Sequence, residues 1–237
     1  MIKKKGQFYI NNENWETSIG IDSSNIKNCI KEFKGKGIFK KKSLYNGIFG
    51  HESFGFKERN LDFLIDFKMI KHIWLWDVDL DNIEGIYHLK DIETFGVTGK
   101  RPPIDFGKFP NIKTITLDWK TKDYNLEKCK SIENFHLWHH KPKEKNFIKF
   151  MFPPNCSNWF SLNWTNVEDL STLNGLKGIR KIGIHRSRNL KSLQGLERYI
   201  DTLEEVIVTT SGKLTEFEFL KNFPKLKKMY INEKKYK

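Results

Sequence analysis

The sequence predicts an α/β repeat protein in which short parallel strands and compact turns alternate along the chain. Three observations predict this class. Apolar residues follow a stagger that mixes steps of three and two, the stagger recurs at a regular spacing, and polar or aromatic residues occupy the positions between the apolar ones. A strand alone would alternate throughout, and a helix would keep steps of three and four. The mixture indicates a bend that leads into a short strand.

The stagger is clearest in residues 109–119. Phe109, Ile112, Ile115 and Leu117 are its apolar members, and the step shortens from three residues to two at the end. Because side chains alternate along a strand, Ile115 and Leu117 are predicted to face the same way, into the core. One such unit cannot bury its own apolar edge, so it needs stacked neighbours.

The same stagger recurs from about residue 61 onwards. The first inward strand residues of the copies are predicted to be Ile73, Ile92, Ile115, Phe135, Phe160, Ile182, Val206 and Met229. The steps between them are 19, 23, 20, 25, 22, 24 and 23 residues, with a mean of about 22. We therefore predict about eight repeats over residues 61–237, preceded by a small N-terminal capping region over residues 1–60.

Two segments resemble the leucine-rich repeat family, particularly the short class of internalin-like bacterial proteins. They are residues 167–176 (VEDLSTLNGL) and residues 189–196 (NLKSLQGL). The resemblance implies a solenoid with a parallel sheet on its concave face and short helices or irregular turns on its convex face. The family usually has Asn three residues after the second inward strand residue. Here those positions hold Val78, Lys120, His140, Thr165, Ser187 and Ser211. An asparagine ladder is therefore not expected, and the repeats are degenerate.

The repeat also predicts which side chains face outward, on the sheet surface that lines the concave side in this family. Those positions hold three tryptophans, one phenylalanine, one tyrosine, two histidines and no lysine. Exposed aromatic residues clustered on one sheet indicate a surface for a partner. The predicted partner-binding residues are Trp74, Trp76, Phe95, Asp118, His136, Trp138, Asn163, His185 and Tyr230. A slip of one residue in any repeat would exchange its faces and place these side chains in the core.

Two further tryptophans, Trp119 and Trp164, lie just beyond predicted strands. We expect both to pack against a neighbouring turn.

The charge balance raises the question of nucleic acid. The chain has 42 Lys and Arg against 29 Asp and Glu, a net charge of +13, which favours an acidic partner or nucleic acid. However, lysines crowd near the two ends, as in residues 3–5, 40–42 and 225–237, which is typical of solvated ends. Binding of single strands would also require Lys or Arg among the outward aromatics. The outward set supplies Glu93 and Asp118 instead, so nucleic acid is the weaker prediction.

Sequence motifs for catalysis are missing from the chain. There is no phosphate-binding loop, dinucleotide fingerprint or hydrolase motif. His136, His139 and His140 have no carboxylate or cysteine at ligand spacing. We therefore predict no enzyme activity, no metal and no cofactor.

The cysteines and the apolar segments bear on the compartment. Cys29, Cys129 and Cys156 are far apart and odd in number, which favours buried thiols in a reducing, cytoplasmic compartment. The apolar runs are too short to span a membrane, and no secretory signal is recognised.

These observations predict a protein-binding module. Cytosolic, degenerate repeat proteins of this composition resemble the immunity proteins of bacterial toxin systems, including those of contact-dependent growth inhibition. Such a protein neutralises a toxin domain by covering its active site, and we expect it to be a monomer before the complex forms. The alternative prediction is a basic scaffold associated with RNA or DNA, and an enzyme is a third.

Overall fold

A computed structural model describes residues 2–13, 16–37, 45–67 and 69–237. The predicted basic cluster at residues 40–42 lies outside these ranges. The chain forms two compact units, Met1–Ile112 and Lys113–Lys237. The predicted boundary near residue 60 stays a prediction.

The described residues of unit 1 form six strands, each paired with the next in chain order. They are β1 Ile2–Lys5, β2 Phe8–Glu13, β3 Glu16–Gly20, β4 Gly47–Gly50, β5 His72–Asp79 and β6 Thr94–Lys100. The pairs from β1 to β3 are antiparallel, and those from β3 to β6 are parallel. Helix α1, Ile26–Phe33, buries Cys29 and Phe33, which lie one turn apart, and the chain leaves the helix at Gly35 with a φ of +68°.

Unit 2 contains seven strands with the same ordering. They are β7 Thr114–Asp118, β8 Asn134–Trp138, β9 Trp159–Asn163, β10 Lys181–His185, β11 Glu205–Thr209, β12 Lys228–Ile231 and β13 Lys234–Lys235. The strands β7 to β12 are parallel, and β13 turns back antiparallel to β12. Short 3₁₀ turns connect several of them, as at Leu126–Lys128, Leu196–Tyr199 and Glu218–Asn222. A sheet built from successive strand-and-turn segments is consistent with a repeat architecture.

The core of unit 2 is formed by the predicted inward residues. In the strand register the first inward positions stand side by side, and each is at most 1% exposed. These residues are Ile115, Phe135, Phe160, Ile182, Val206 and Met229. The prediction for these positions is confirmed.

The three cysteines are buried, as the sequence predicts. Burial raises the pKa of Cys156 to about 12 and also raises the pKa of Cys29.

One register prediction is wrong. Phe95 was expected to face outward, but β6 pairs Phe95 with Ile73 and Val97 with Leu75, so Phe95 and Val97 are the inward residues. Phe95 is 1% exposed, and its ring stacks on Phe109 with the ring centres 5.6 Å apart. The error arises because apolar steps of three continue through Ile92 to Phe95. With Phe95 in place of Ile92 as the first inward residue of this repeat, its distances along the sequence from Ile73 and Ile115 become 22 and 20 residues instead of 19 and 23.

Side-chain hydrogen bonds join successive repeats, although other residue types stand at the position where the family usually has Asn. Thr165 Oγ1 donates to the carbonyl of His140 at 2.7 Å, and Thr202 Oγ1 donates to that of Ile179 at 3.0 Å. Asn155 Nδ2 likewise donates to the carbonyl of Lys130 at 2.8 Å. Each bond spans about one repeat of sequence. Different residue types therefore supply the link between turns at different places.

The strand ends of unit 2 share an unusual backbone conformation. His139, Trp164, Arg186 and Thr210 all have φ between 52° and 55°. This left-handed conformation costs an L-residue about 1–2 kcal/mol, and a β-branched residue such as Thr210 suits it least.

We expect Thr210→Asn to raise the free energy of unfolding by about 1 kcal/mol, because Asn tolerates the left-handed conformation better than Thr. Urea denaturation followed by circular dichroism would measure the change. Thr215→Asn is the matched control, since Thr215 is also exposed but does not have a positive φ. Equal effects of the two substitutions would contradict the strain argument.

Candidate functional site

The parallel register of unit 2 arranges its outward side chains in three rows across the strands. The start row is Thr114, Asn134, Trp159, Lys181, Glu205 and Lys228. The middle row is Thr116, His136, Ser161, Gly183, Ile207 and Tyr230. The end row is Asp118, Trp138, Asn163, His185 and Thr209. We call these three rows together the outward face.

The predicted site residues of unit 2 lie on this face. Asp118, Trp138, Asn163 and His185 are consecutive members of the end row, and all four are partly exposed. The middle row contains the other two, His136 and Tyr230, which are also partly exposed. In unit 1, Trp74 and Trp76 lie on β5 and are partly exposed. Phe95 is the exception, because it belongs to the core.

A stack of three side chains lies beside the end row. The His139 ring stacks on Trp164 with ring centres 5.2 Å apart, and the Arg186 guanidinium lies 4.3 Å from the centre of the Trp164 ring. We call these three residues the ring ladder. The three share one backbone conformation, and adjacent strands are about 4.8 Å apart, so equivalent side chains can stack.

Neighbouring contacts fix the ring ladder in place. Trp138 packs against Trp164 with ring centres 5.1 Å apart, and His139 Nδ1 is 2.9 Å from a carboxylate oxygen of Asp118. Trp164 thus packs against neighbouring turns, as predicted, and Trp119 does so too through Phe150 at 4.8 Å. The result is a cluster of aromatic and charged groups held before any partner arrives.

The middle row contains a histidine beside a serine. His136 Nδ1 is 2.7 Å from Ser161 Oγ, and the His136 ring meets Trp159 edge to face at 4.8 Å. Burial lowers the pKa of His136 to about 4. A histidine next to a hydroxyl is also the pair used in covalent catalysis. Ser161 is only 4% exposed, so its hydroxyl is poorly placed to reach a substrate.

A glycine lets side chains from its neighbours cover the middle row. A Cβ at Gly183 would lie 3.0 Å from His185 Nε2 and 3.5 Å from Trp159 Nε1. His185 Nδ1 is in turn 2.9 Å from Thr209 Oγ1. The absence of a side chain at Gly183 therefore allows two rings to lie across β10.

The start row was missed by the sequence reasoning. It adds Trp159, which is 41% exposed. It also adds two lysines, although the outward face was expected to contain no lysine. Glu205 lies between these lysines, at 2.6 Å from Lys228 Nζ and 3.8 Å from Lys181 Nζ. The start row can be identified in the sequence as the residues directly before the first inward positions. Alternation along a strand places these residues on the outward side.

The three clustered histidines take separate structural roles. His136 contacts Ser161 and His139 contacts Asp118, while His140 stacks on Phe147 with ring planes 9° apart. Across the described ranges, no group of three or more His, Cys, Asp or Glu side chains is arranged to hold a metal ion.

Within the same ranges, no helix combines the length and the apolar character needed to cross a membrane.

Comparisons with known proteins give one partial similarity. No protein-family model matches the chain, and no solved structure matches it. A segment of 64 residues is 41% identical to dynein axonemal light chain 1 of Homo sapiens. This segment is 27% of this chain and 33% of that protein. The chain thus spans about a third of the length of this curated relative, and the similarity concerns a segment only.

Proposed function

We propose that the chain is a leucine-rich repeat protein that binds another protein through its outward face. The repeat length of about 22 residues falls within the 20–29 residues of this family. Successive parallel strands, 3₁₀ turns and a core of inward apolar residues support the same reading. The partial match to a protein named as a light chain of axonemal dynein is in keeping with a role inside a protein assembly.

The single observation that carries the proposal is the cluster around Trp164. Trp138, His139 and Arg186 contact this ring, and Trp159 is exposed nearby in the start row. Tryptophan and arginine are enriched among the residues that dominate binding energy. Side chains already fixed by their neighbours also lose little freedom when they bind. The cluster therefore has the composition and the rigidity of an interface centre.

In its specific form, we propose an immunity protein that neutralises a bacterial toxin domain by covering its active site. This role needs a large specific surface and no chemistry, which suits a face of fixed aromatic side chains. Unit 2 has 24 Lys and Arg against 14 Asp and Glu, a net charge of +10. The contact face of the toxin should therefore be neutral or acidic.

The test is co-expression of the chain with the product of the neighbouring gene. We expect a stable complex, and we expect Trp164→Ala or Trp138→Ala to weaken it by about 2–4 kcal/mol, or roughly 30-fold to 1,000-fold in Kd. Isothermal titration calorimetry would measure the change. Ile200→Ala is the matched control, because Ile200 is 41% exposed but lies outside the strands. A complex that tolerates both tryptophan substitutions would contradict this face as the binding surface.

A second candidate function is binding of single-stranded nucleic acid. Arg186 over Trp164, with Lys181 and Lys228 on the same face, brings basic groups next to rings, as strand-binding surfaces do. Fluorescence anisotropy with an oligouridine would test it at several salt concentrations. Sub-micromolar affinity that falls steeply with salt would favour this candidate over the first.

A further inference from the structure

A second aromatic surface lies in unit 1 and lines an open pocket of about 550 Å³. Its floor is the outward side of β4 and β5, where Phe49 pairs in register with Trp74 and Trp76 follows two residues later. Phe54 forms a wall and meets Phe49 edge to face, with ring centres 5.3 Å apart. The volume is within the roughly 300–1,000 Å³ typical of ligand pockets.

Local packing holds the floor of this pocket in position. A Cβ at Gly96 would lie 2.2 Å from Trp74 Cε3, so the Trp74 ring lies directly against the glycine of β6. Phe54 is held from the other side by Tyr9, with ring centres 5.0 Å apart. The pocket is therefore formed before a ligand enters.

The lining restricts the chemistry of the guest. No Lys, Arg, Asp or Glu of the described residues lines the cavity, although 30% of the chain is charged. A charged group placed inside would lose its hydration without gaining a counter-charge. The guest is therefore uncharged, and rings on the floor and wall favour an aromatic guest.

Polar groups at the pocket can orient such a guest. His51 Nδ1 accepts the backbone N–H of Ser53 at 3.1 Å, so the N–H that the His51 ring can donate is the one on Nε2. The Ser53 hydroxyl and this N–H suit a guest with one oxygen, such as a phenol.

The surroundings of the pocket are basic. Ile2 lines the cavity, and the next three residues of β1 are the exposed lysines Lys3, Lys4 and Lys5. Their positive charge favours acidic groups beside the aromatic guest and disfavours basic ones.

We propose that this pocket receives a tyrosine side chain from an acidic segment of a protein partner. The inference rests on the proposed function, since it names the chemistry that a partner would present to unit 1.

The experiment uses the full chain and a blocked pentapeptide with tyrosine between two pairs of glutamates. The indole N–H signals of Trp74 and Trp76 are followed by ¹⁵N NMR after assignment with the Trp74→Phe and Trp76→Phe variants. We expect both signals to move in a saturable way, with a Kd on the order of 1 mM. A peptide with leucine in the centre should bind several-fold more weakly, and one with lysines in place of the glutamates more weakly still.

Variants separate the pocket from the rest of the chain. Phe54→Ala removes a wall and should weaken binding on the order of tenfold. Ser53→Glu keeps the aromatic residues but repels the acidic peptide, and it should weaken binding as well. Ile200→Ala in unit 2 is the control and should leave the affinity unchanged, because Ile200 is exposed and lies outside the strands.

Several outcomes would overturn the assignment. They are equal binding of the leucine peptide, stronger binding of the lysine-flanked peptide, stronger binding of uridine monophosphate, or no shift at millimolar peptide. If the peptide fails to bind the pocket while the complex with the neighbouring gene product still forms and depends on Trp164, the pocket proposal is wrong and the proposed function is retained. If that complex also fails to form, both proposals fall.

Discussion

Lowering the pH from 7 to 5 is expected to remove about 6 kcal/mol from the free energy of unfolding. Three histidines are the main cause, since burial lowers the pKa of His72, His136 and His140 from 6.5 to about 4. Between these pH values the unfolded chain takes up a proton on each histidine, and the folded chain does not. The contribution of these histidines to stability is therefore present above pH 6.5 and is lost as the pH falls towards 4. Each histidine contributes about 2 kcal/mol of this loss by pH 5.

The size of this effect is comparable with the whole stability of many domains, about 5–15 kcal/mol. Urea denaturation at pH 7, 6 and 5 would measure it. His140→Phe should remove about a third of the pH dependence, and a phenyl ring can keep the stacking on Phe147. It also removes Nε2 of His140, a buried atom without a hydrogen-bond partner among the described residues. His88→Phe is the control, because His88 is exposed. Equal stability at pH 7 and pH 5 would contradict the prediction.

Gly195→Ala is expected to destabilise the protein by about 3–5 kcal/mol, the sum of backbone strain and a forced local shift. Gly195 has a φ of +104°, and a Cβ there would lie 2.0 Å from the carbonyl oxygen of Leu170 in the preceding turn. That oxygen belongs to the backbone, so it cannot move aside as a flexible side chain would. Thermal unfolding followed by circular dichroism would show the loss.

Other glycines provide the comparison. Gly85→Ala should be similarly harmful, since a Cβ there would lie 1.8 Å from the carbonyl oxygen of Leu61. Gly212→Ala should be nearly neutral, because nothing lies within 4 Å of its Cβ position. If Gly195→Ala and Gly212→Ala were equally stable, the close approach of successive turns would not be the reason for the glycine.

The strand positions could be predicted from the sequence because burial imposes a pattern that few other structures share. Steps of three followed by a step of two identify Ile115 and Leu117 as inward residues, and alternation then gives the end row. The same pattern failed at Phe95, where apolar residues continue at steps of three up to the strand. An apolar residue before the strand and one within it look alike in a sequence, and only pairing with Ile73 separates them.

The ring ladder could not be predicted, since it depends on backbone conformation at residues that give no sign of it. His139, Trp164 and Arg186 are all left-handed without being glycine. Their stacking follows from three equal conformations in adjacent strands, and each conformation is fixed by the fold around it. The lysines of the start row, in contrast, could be predicted to face outward, because they directly precede inward residues.

β1 of unit 1 and β13 of unit 2 each pair with a single neighbouring strand among the described residues, and this offers a different explanation for the positive charge. Three of the four residues of β1 are lysines, and β13 consists of Lys234 and Lys235. An open edge presents free N–H and C=O groups to which a strand of another copy can add, and lysines on edge strands oppose such addition through charge repulsion. These five lysines then guard against aggregation, and they would be needed whether or not the protein ever meets a nucleic acid.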